Sequence, residues 1–223
     1  MKTYSRLTLA FLLLILVVPQ VGAEEPPKDG PHVEYYENGK KKSETHYKNG
    51  KPDGLWTLWY ANGQKVYEGH YKNDKADGPY VVWYENGQKL SEAQYKNDKL
   101  VSASVWKPDG EPCPETKVVD GSGTVVRWYA NGQKEREWHY KNGELDGLST
   151  MWHENGQKLR ESHYKNGKLD GLETWWYGNG QKESEFHWKD GNPDGLRTSW
   201  DENGNKIQEV QYKDGKEVSR NEF

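Results

Sequence analysis

The residues best suited to metal chemistry are glutamate–histidine pairs separated by one residue. They are Glu44/His46, Glu68/His70, Glu137/His139, Glu161/His163 and Glu185/His187. In a β-strand, residues two apart point to the same side, so each pair presents a carboxylate and an imidazole together. Equivalent strands of successive units would lie about 9.6 Å apart, whereas a zinc ion needs three or four converging ligands. The pattern therefore favours solvated pairs with neighbouring lysines, and we predict no metal site and no cofactor.

The second candidate for chemistry is Cys113, the only cysteine in the chain. A single cysteine cannot form an internal disulfide, so it is a free thiol or a link between chains. No histidine lies near it in the sequence to activate it as a nucleophile. No Ser–His–Asp set, paired-carboxylate motif or phosphate-binding loop is present either. The sequence therefore predicts a protein that is not an enzyme.

The first 23 residues have the pattern of a secretory signal peptide. Lys2 and Arg6 precede an apolar run over 7–18, and small residues follow at 21–23. That run is too short to span a bilayer, which needs about 20 residues. We therefore expect cleavage after Ala23 and export to the periplasm or the extracellular space. No second apolar segment follows, so we expect no integral membrane segment in the mature chain.

Composition excludes several classes of protein. The formal net charge is −4, and removal of Lys2 and Arg6 makes it −6. This mild, well-mixed negative charge argues against nucleic acid as the main partner. Hydrophobic residues make up 32% of the chain, yet it contains 11 Trp and 15 Tyr. Disordered chains are poor in aromatic residues, and buried parallel sheets need aliphatic runs that this chain lacks.

A repeat of 24 residues accounts for nearly all of the mature chain. Each unit approximates DG-L-x-T-x-W-Y-x-NG-QK-x-x-E-x-H-Y-K-NG-K-L. Seven copies begin at Asp29, Asp53, Asp77, Ser122, Asp146, Asp170 and Asp194. An eighth, degenerate copy covers 101–121, where Pro108, Pro112 and Pro114 argue against a regular strand and indicate a hinge or loop. The predicted organisation is a signal peptide (1–23), a linker (24–28), repeats 1–3 (29–100), the degenerate repeat or hinge (101–121), repeats 5–8 (122–217) and a tail (218–223).

Two turn signals in each unit predict two strands per repeat. Asn-Gly recurs after each Trp, and a second Asn-Gly or Asp-Gly closes most units. Asn-Gly is the strongest short hairpin signal because both residues accept positive φ. The fold class is therefore all-β: an elongated array of β-hairpin repeats in one long twisted antiparallel sheet. For register, we expect a bulge that places Leu55, Thr57 and Trp59 on one face with Tyr67 and Tyr71.

Aromatic residues at regular repeat positions are predicted to form the core, because little else is available to bury. They are Trp59, Trp83, Trp128, Trp152, Trp176, Trp200, Tyr71, Tyr95, Tyr140 and Tyr164. Aromatic residues at positions that vary between repeats are the candidates for an exposed partner-binding surface. They are Trp56, Tyr80, Trp138 and Trp175. Stacked aromatic residues could also bind sugars, as they do in cell-wall-binding modules.

Segments such as WYANGQKVYEGHYKND and WHENGQKLRESHYKNGKLDGL resemble the bacterial variant of the MORN repeat found in the YwqK family of antitoxin-like proteins. The resemblance covers residues 29 to 217. It implies β-hairpin repeats in an extended sheet, no catalytic activity and a protein partner, which for the namesake is a toxin. The predicted signal peptide differs from what is expected of an antitoxin that acts in the cytoplasm. We expect an exported, non-enzymatic scaffold that binds a protein; the alternatives are a cell-envelope carbohydrate-binding module and a structural spacer.

Overall fold

The structure, a computed structural model, describes residues 29–223. The predicted signal peptide and the linker at 24–28 lie outside the described residues. Among residues 29–223, no helix is long and apolar enough to cross a membrane.

The strands fall into two compact units, one ending at Val101 and the other beginning at Ser102. The first unit contains β1 (Gly30–Tyr35), β2 (Lys41–Lys48), β3 (Lys51–Trp59), β4 (Lys65–Lys72), β5 (Lys75–Trp83) and β6 (Lys89–Lys96). β7 (Lys99–Val105) includes the boundary. The second unit contains β8 (Lys117–Val119), β9 (Ser122–Trp128), β10 (Lys134–Lys141), β11 (Glu144–Leu145), β12 (Gly147–Trp152), β13 (Lys158–Lys165), β14 (Lys168–Trp176), β15 (Lys182–Lys189), β16 (Asn192–Trp200), β17 (Lys206–Lys213) and β18 (Lys216–Glu222).

The 18 strands belong to one antiparallel sheet. Within the first unit, β1 to β6 pair in chain order, each with the next. Within the second unit, β8 pairs with β9 and β9 with β10, and the order continues to β18, with β10 pairing both β11 and β12. The predicted fold class, an all-β antiparallel array of hairpin repeats, is confirmed.

The turn that follows each Trp differs from the two-residue turn typical of Asn-Gly. In the first repeat, the Gly39 amide donates to the Tyr36 carbonyl (2.9 Å) and the Tyr36 amide donates to the Lys40 carbonyl (2.8 Å). Only the glycine has positive φ, 78° at Gly39. The Asn38 side chain instead accepts a hydrogen bond from the Lys40 amide at 3.0 Å. This is a three-residue loop with a glycine bulge, as the predicted bulge required.

The second turn of each repeat is the two-residue type. Both central residues have positive φ, as at Asn49 (51°) and Gly50 (69°). The same holds for Asn142–Gly143, Asn166–Gly167, Asp190–Gly191 and Asp214–Gly215. Asn, Asp and Gly dominate these positions because they tolerate the left-handed region best.

The strand register separates two faces of the sheet, and the predicted register is wrong. In the β3–β4 pair, Trp56 lies opposite Gly69 and Leu58 opposite Tyr67, whereas Trp59 lies opposite Lys65. Trp59 therefore shares its side with Leu55 and Thr57, as expected, but their partners are His70 and Glu68 rather than the tyrosines. We call the side of Trp56, Leu58 and Tyr67 face A, and the side of Thr57, Trp59 and Glu68 face B. The bulge exists, but it places the regular Trp with charged residues.

The regular aromatic residues are less buried than predicted. Trp59, Trp83, Trp128, Trp152, Trp176 and Trp200 are all half-buried, as are Tyr71, Tyr140 and Tyr164, whereas Tyr95 is buried. The most completely buried large side chains are instead Trp138, Leu100, Val126 and Val210. The prediction that the regular Trp residues form the core fails because each lies on the face that also carries lysine and glutamate.

Candidate functional site

Face B repeats one arrangement of lysine, glutamate and tryptophan. The Lys41 ammonium lies 2.8 Å from the Glu44 carboxylate and 5.7 Å from the centre of the Trp59 ring. Four further lysines pair with the glutamate three residues on and lie 5.6–5.8 Å over the Trp of the next repeat. They are Lys65 (over Trp83), Lys134 (Trp152), Lys158 (Trp176) and Lys182 (Trp200). The ion pair raises the pKa of Lys41 and lowers that of Glu44. Each Trp thus joins two successive repeats, covered by a cation held in place by its own carboxylate.

A second row on face B alternates glutamate with buried threonine. In the second unit it runs across neighbouring strands as Val126, Glu137, Thr150, Glu161, Thr174, Glu185, Thr198 and Glu209. In the first unit it runs as Glu44, Thr57, Glu68, Val81 and Glu92. The row hardly changes in chemistry from one repeat to the next, which is the behaviour of a structural element.

The Glu-x-His pairs lie on face B and take part in these rows. Nδ1 of His139 lies 2.7 Å from the Leu148 carbonyl, and His163, 3.0 Å from the Leu172 carbonyl, makes the same contact. The glutamate of each pair belongs to the lysine ion pair. Among the residues described, no three His, Cys, Asp or Glu side chains converge to hold a metal ion.

The residue after each Trp links its repeat to the next one. The Tyr129 hydroxyl donates to the Trp152 carbonyl at 2.7 Å, and Tyr36, Tyr60 and Tyr177 make the equivalent bond. The turn asparagine adds a second link, as from Asn155 to the Gly178 carbonyl at 2.9 Å. In the last repeat the residue after the Trp is Asp201. It accepts hydrogen bonds from the backbone amides of Asn203 and Asn205 in its own turn. A hydrogen bond from the Asn205 side chain at 3.0 Å, together with these amide bonds, lowers the pKa of Asp201.

Face A of the first unit holds a cluster of aromatic rings. Tyr67 packs edge-on against Trp56 and Tyr80, with ring centres 6.3 and 5.6 Å apart. Tyr71 and Tyr95 pack against Tyr80 at 5.5 and 4.7 Å. The hydroxyls of Tyr67 and Tyr71 lie 3.0 Å apart. Burial is the main reason that the pKa values of Tyr67, Tyr71 and Tyr80 are raised.

Gly69 makes this cluster possible. Tyr67 and Tyr71 flank it on the same strand and the same face. A Cβ at position 69 would lie 2.1 Å from the Tyr67 hydroxyl oxygen and 3.0 Å from the Tyr80 ring. The Tyr67 side chain therefore occupies the space that any other residue at 69 would fill.

Face A of the second unit carries a buried ion pair in place of the aromatic cluster. Glu173 is 4% exposed. Its carboxylate accepts hydrogen bonds from Arg160 Nε (2.5 Å), Ser162 Oγ (3.3 Å) and Trp188 Nε1 (2.7 Å). The Arg160 guanidinium also lies 4.9 Å over the Trp175 ring. One cation matches one anion here, and neutral donors complete the shell of the carboxylate.

A second charged cluster on face A lies at β9 and β10. Glu135 forms ion pairs with two arginines: its carboxylate lies 3.2 Å from Arg127 Nη2 and 3.2 Å from Arg136 Nε. The side chains of Arg127, Arg136 and Glu135 are 10%, 12% and 15% exposed, respectively. The Arg136 guanidinium lies 5.8 Å from the centre of the Trp138 ring. Burial lowers the pKa of Arg136.

Cys113 is buried against face B of the second unit. The Trp128 indole N–H donates to its sulfur at 3.1 Å, and the Thr116 hydroxyl lies 3.8 Å from it. The Cys113 amide donates to the Val105 carbonyl at 2.8 Å. This thiol therefore fills a place in the packing of the degenerate repeat.

Seven segments of the chain match the model of the MORN repeat variant. They are residues 28–49, 52–73, 76–97, 122–142, 145–166, 169–190 and 193–214, which together make up more than half of the chain. The chain belongs to the MORN repeat variant family. Residues 98–121, which include the proline-rich degenerate repeat, lie outside the matched segments. A comparison with curated proteins finds no match.

Two solved structures show a remote similarity to this MORN repeat chain. One is described as "Crystal Structure of TcdB2-TccC3-Cdc42", with 10% identity and a TM-score of 0.16 over 83% of this chain and 12% of that chain. The other is described as "Crystal Structure of TcdB2-TccC3", with 10% identity and a TM-score of 0.17 over 84% of this chain and 13% of that chain. This chain thus spans about an eighth of their length. TM-scores this low carry no argument about fold or function.

The four aromatic residues predicted to be exposed divide into two pairs. Trp138 and Tyr80 are only 1% and 5% exposed, so the prediction of an exposed position is wrong for both. They are buried because neighbouring face A side chains pack over them: Arg136 over Trp138, and Tyr67, Tyr71 and Tyr95 around Tyr80. Trp56 and Trp175 are half-buried and stay candidates for contact with a partner.

Sequence reasoning missed the arginines and glutamates of face A. Arg127 and Glu173 occupy MORN repeat positions that hold unrelated residues in other repeats, and Arg136 and Arg160 share one position that holds Tyr67 or Ser184 elsewhere. Charged residues at positions that share a face with the variable Trp residues could have indicated them. Recognising that they share a face required the correct strand register.

Proposed function

We propose that this chain is an exported, non-catalytic MORN-type scaffold that binds another protein through face A. The supporting observation is the contrast between the two faces. Across the strands, face B carries alternating glutamate and threonine with lysine-covered Trp. The equivalent central row of face A reads Thr45, Trp56, Gly69, Tyr80 and Ala93 in the first unit, and Val125, Trp138, Ser149, Ser162, Glu173, Phe186, Arg197 and Val210 in the second. Most positions of this row are buried, and the variable ones that a partner can reach are Trp56, Phe186 and Arg197, together with Trp175 on the same face.

The residue types on face A also suit a protein partner. Arginine and tryptophan are enriched among residues that dominate protein interfaces. On face A, Arg160 stacks on Trp175 at 4.9 Å and Arg197 lies 5.6 Å over the Phe186 ring. Stacking holds each guanidinium in place, which reduces the entropy lost when it contacts a partner.

The resemblance to YwqK-type antitoxins suggests the class of partner, and the N-terminal pattern suggests where the two meet. A toxin-like protein in the cell envelope or outside the cell would fit both. A scaffold needs no catalytic group for such a role, because occluding the toxin surface is sufficient.

The carbohydrate alternative depends on the regular Trp residues of face B. A sugar stacks on a free ring face, but a lysine ammonium already lies over Trp59, Trp83, Trp152, Trp176 and Trp200. A sugar on that side would have to displace an ammonium that is also held by a glutamate. The geometry therefore favours a protein partner over a glycan.

Capture from an envelope extract tests the proposal, with the chain from Glu24 as bait. Trp175 and Trp176 are adjacent in sequence but lie on opposite faces, opposite Ser184 and Lys182 respectively. We expect the wild type and Trp176→Ala to retain the same protein, and Trp175→Ala to lose it. Retention on purified cell-wall polysaccharide without any captured protein would replace the proposal with the carbohydrate reading. Retention of neither would leave a structural spacer.

A further inference from the structure

Arg197 on β16 is a cation of face A without an acidic partner. Every other arginine between residues 29 and 223 forms an ion pair with a glutamate; the pairs are Arg127–Glu135, Arg136–Glu135, Arg160–Glu173 and Arg220–Glu217. Among the described residues, Arg197 forms neither an ion pair nor a hydrogen bond, and its guanidinium lies 5.6 Å from the centre of the Phe186 ring. The side chain is half-buried, but its nitrogen atoms are not among the buried unpaired atoms of the described chain. A bound protein can therefore reach this guanidinium.

The surroundings of Arg197 on face A contain no carboxylate that is free to pair with it. Its cross-strand neighbours are Phe186 on β15 and Val210 on β17. The adjoining residues of these two strands on the same face are also neutral: Ser184, Trp188, Gln208 and Tyr212. The carboxylates one strand farther out are already paired, Glu173 with Arg160 and Glu217 with Arg220. Within the described chain, the charge of Arg197 is therefore left to solvent.

The preceding repeat shows how a charge at the same position is satisfied internally. Position 173 is equivalent to position 197, and its glutamate accepts hydrogen bonds from Arg160, Ser162 and Trp188. The residues equivalent to these three donors in the repeat of Arg197 are Ser184, Phe186 and Tyr212, and none of them is charged at neutral pH. The charge at this position thus reverses between the two repeats, but a complementary charge is present only in the first one.

The Phe186 ring supports the guanidinium of Arg197. This ring packs against Trp188 and Tyr212, with ring centres 4.7 and 5.2 Å away. An arginine that is only solvated samples many rotamers, whereas stacking on a packed ring restricts them. The donors at the edge of the guanidinium stay available, and less entropy is lost when Arg197 contacts a partner.

We propose that Arg197 receives a carboxylate side chain, Asp or Glu, from the protein bound on face A. This inference rests on the proposed function and adds the chemistry of one contact. The planar guanidinium can hold a carboxylate with two parallel hydrogen bonds, and arginine beside aromatic rings is common among residues that dominate protein interfaces. Trp175, which lies two strands away on the same face, belongs to the same contact area.

The first test is a zero-length cross-link in the complex captured from an envelope extract with the Arg197→Lys variant of the chain from Glu24. A water-soluble carbodiimide activates a carboxylate, and an amine in contact with it displaces the activated oxygen. An amide bond forms, the amine loses a proton, and the carbodiimide leaves as a urea that carries the oxygen. We expect mass spectrometry to find position 197 joined to an Asp or Glu of the captured protein.

The chain contains its own control for this reaction. Lys158 and Glu161 lie 2.7 Å apart on face B and should be joined by the same reagent. This internal cross-link, found in a complex that has no link from position 197 to the captured protein, would overturn the inference.

The second test measures the dissociation constant of the captured protein for two arginine variants. Arg197→Met keeps a similar volume without charge, and we expect at least tenfold weaker binding with an unchanged unfolding midpoint, because no ion pair is lost. Arg220→Met is the matched control, since it also removes a cation from face A, but one that Glu217 already holds at 2.8 Å. It should change the dissociation constant less than twofold. Equal weakening in the two variants would show an effect of net charge and overturn the inference.

A double-mutant cycle then identifies the contact. The acidic residue found in the cross-link is changed to its amide in the captured protein. We expect this change to weaken binding at least tenfold with the wild-type chain and to have little further effect with Arg197→Met, because both changes remove the same interaction. Losses that multiply would show that the two groups act independently and would overturn the inference.

These results distinguish the failure of this inference from the failure of the proposed function. If the wild type captures a protein that Arg197→Met binds equally well, the carboxylate contact is wrong and the scaffold function stands. If the wild type captures no protein, the scaffold function fails, and this contact, which requires a bound protein, fails with it.

Discussion

At the scale of single residues, the cluster on face A of the first unit depends on the absence of one side chain. Tyr67 and Tyr71 lean towards each other until their hydroxyls are 3.0 Å apart, and the space between them belongs to Gly69. The sequence shows a glycine in a strand, which is normally unfavourable. The strand register explains this glycine, because it places the rings of Tyr67 and Tyr80 over Gly69.

The Gly69→Ala variant should therefore be destabilised. The added methyl group would lie 2.1 Å from the Tyr67 hydroxyl oxygen and would displace that ring, which should cost about 1 to 3 kcal/mol in the free energy of unfolding. Gly178→Ala is the matched control, because a Cβ there meets nothing within 4 Å. Urea denaturation of both variants measures the difference, and equal midpoints would show that Tyr67 does not occupy this space.

The same tyrosines make stability depend on alkaline pH. Burial raises the pKa values of Tyr67 and Tyr80 above the ordinary value of about 10. The stabilisation is complete below pH 10 and decreases as the pH rises above it, because the unfolded chain then loses phenolic protons that the folded chain keeps. We expect the urea midpoint to fall between pH 10 and 11, and to fall less steeply in Tyr67→Phe. A wild-type midpoint that stays constant to pH 11 would contradict the burial of these hydroxyls.

At the scale of elements, the repeats are joined by bonds that recur at a fixed separation in sequence. The hydroxyls of four tyrosines donate to the carbonyl of the Trp one repeat later; they are Tyr36, Tyr60, Tyr129 and Tyr177. Asp201, at the equivalent position of the last repeat, forms its hydrogen bonds within its own turn. The Trp–Tyr pair of the repeat thus serves the connection between hairpins rather than either hairpin alone.

The Tyr129→Phe variant tests this connection. Loss of the 2.7 Å bond to the Trp152 carbonyl should lower the free energy of unfolding by about 0.5 to 1.5 kcal/mol. Tyr35→Phe, at a ring that is 60% exposed, is the matched control and should be close to neutral. If the two variants have the same midpoint, the hydroxyl bond adds nothing to the coupling between repeats.

The sequence was sufficient to predict the elements but not the pairing between them. Turn residues and the 24-residue period predicted two strands per repeat, because Asn, Asp and Gly have a specific backbone role. The loop at Asn38–Gly39 closes as predicted, but each hairpin has a second bulge beside the loop, between the pairs Glu34–Ser43 and Tyr35–Lys41, and a one-residue shift there moves every side chain to the other face. The assumption that large aromatic residues avoid charged neighbours led to the wrong register, because lysine and glutamate can cover a Trp ring. The burial of Trp138 and Tyr80 could not be predicted for the same reason.

At the scale of the whole molecule, each repeat depends mainly on its immediate neighbours. Stability in such arrays is close to a sum of repeat and interface contributions. The recurrent Lys–Glu–Trp contacts and tyrosine bonds each connect one repeat with the next one along the chain. A defect should therefore spread over a short distance within its unit.

Trp152→Ala should show this limited spread in hydrogen exchange. Because Trp152 is half-buried, we expect a loss below the about 3 to 5 kcal/mol typical of a fully buried Trp. Exchange should rise in β12 and β13 and in β10, whose Lys134 lies over the Trp152 ring, and decline towards β18. A uniform rise from β9 to β18 would show that the second unit opens as one block.

The central claim is that face A binds the partner whereas face B stabilises the sheet. One comparison of two variants tests it directly. The dissociation constant of the captured partner is measured for the wild type, Trp175→Ala and Trp176→Ala under conditions where all three are folded. We expect Trp175→Ala on face A to bind at least about tenfold more weakly, equivalent to about 1.4 kcal/mol. Trp176→Ala on face B, which loses its contact with Lys158, should have a lower unfolding midpoint and an unchanged dissociation constant. The reverse pattern, with weaker binding in Trp176→Ala and an unchanged dissociation constant in Trp175→Ala, would contradict the account.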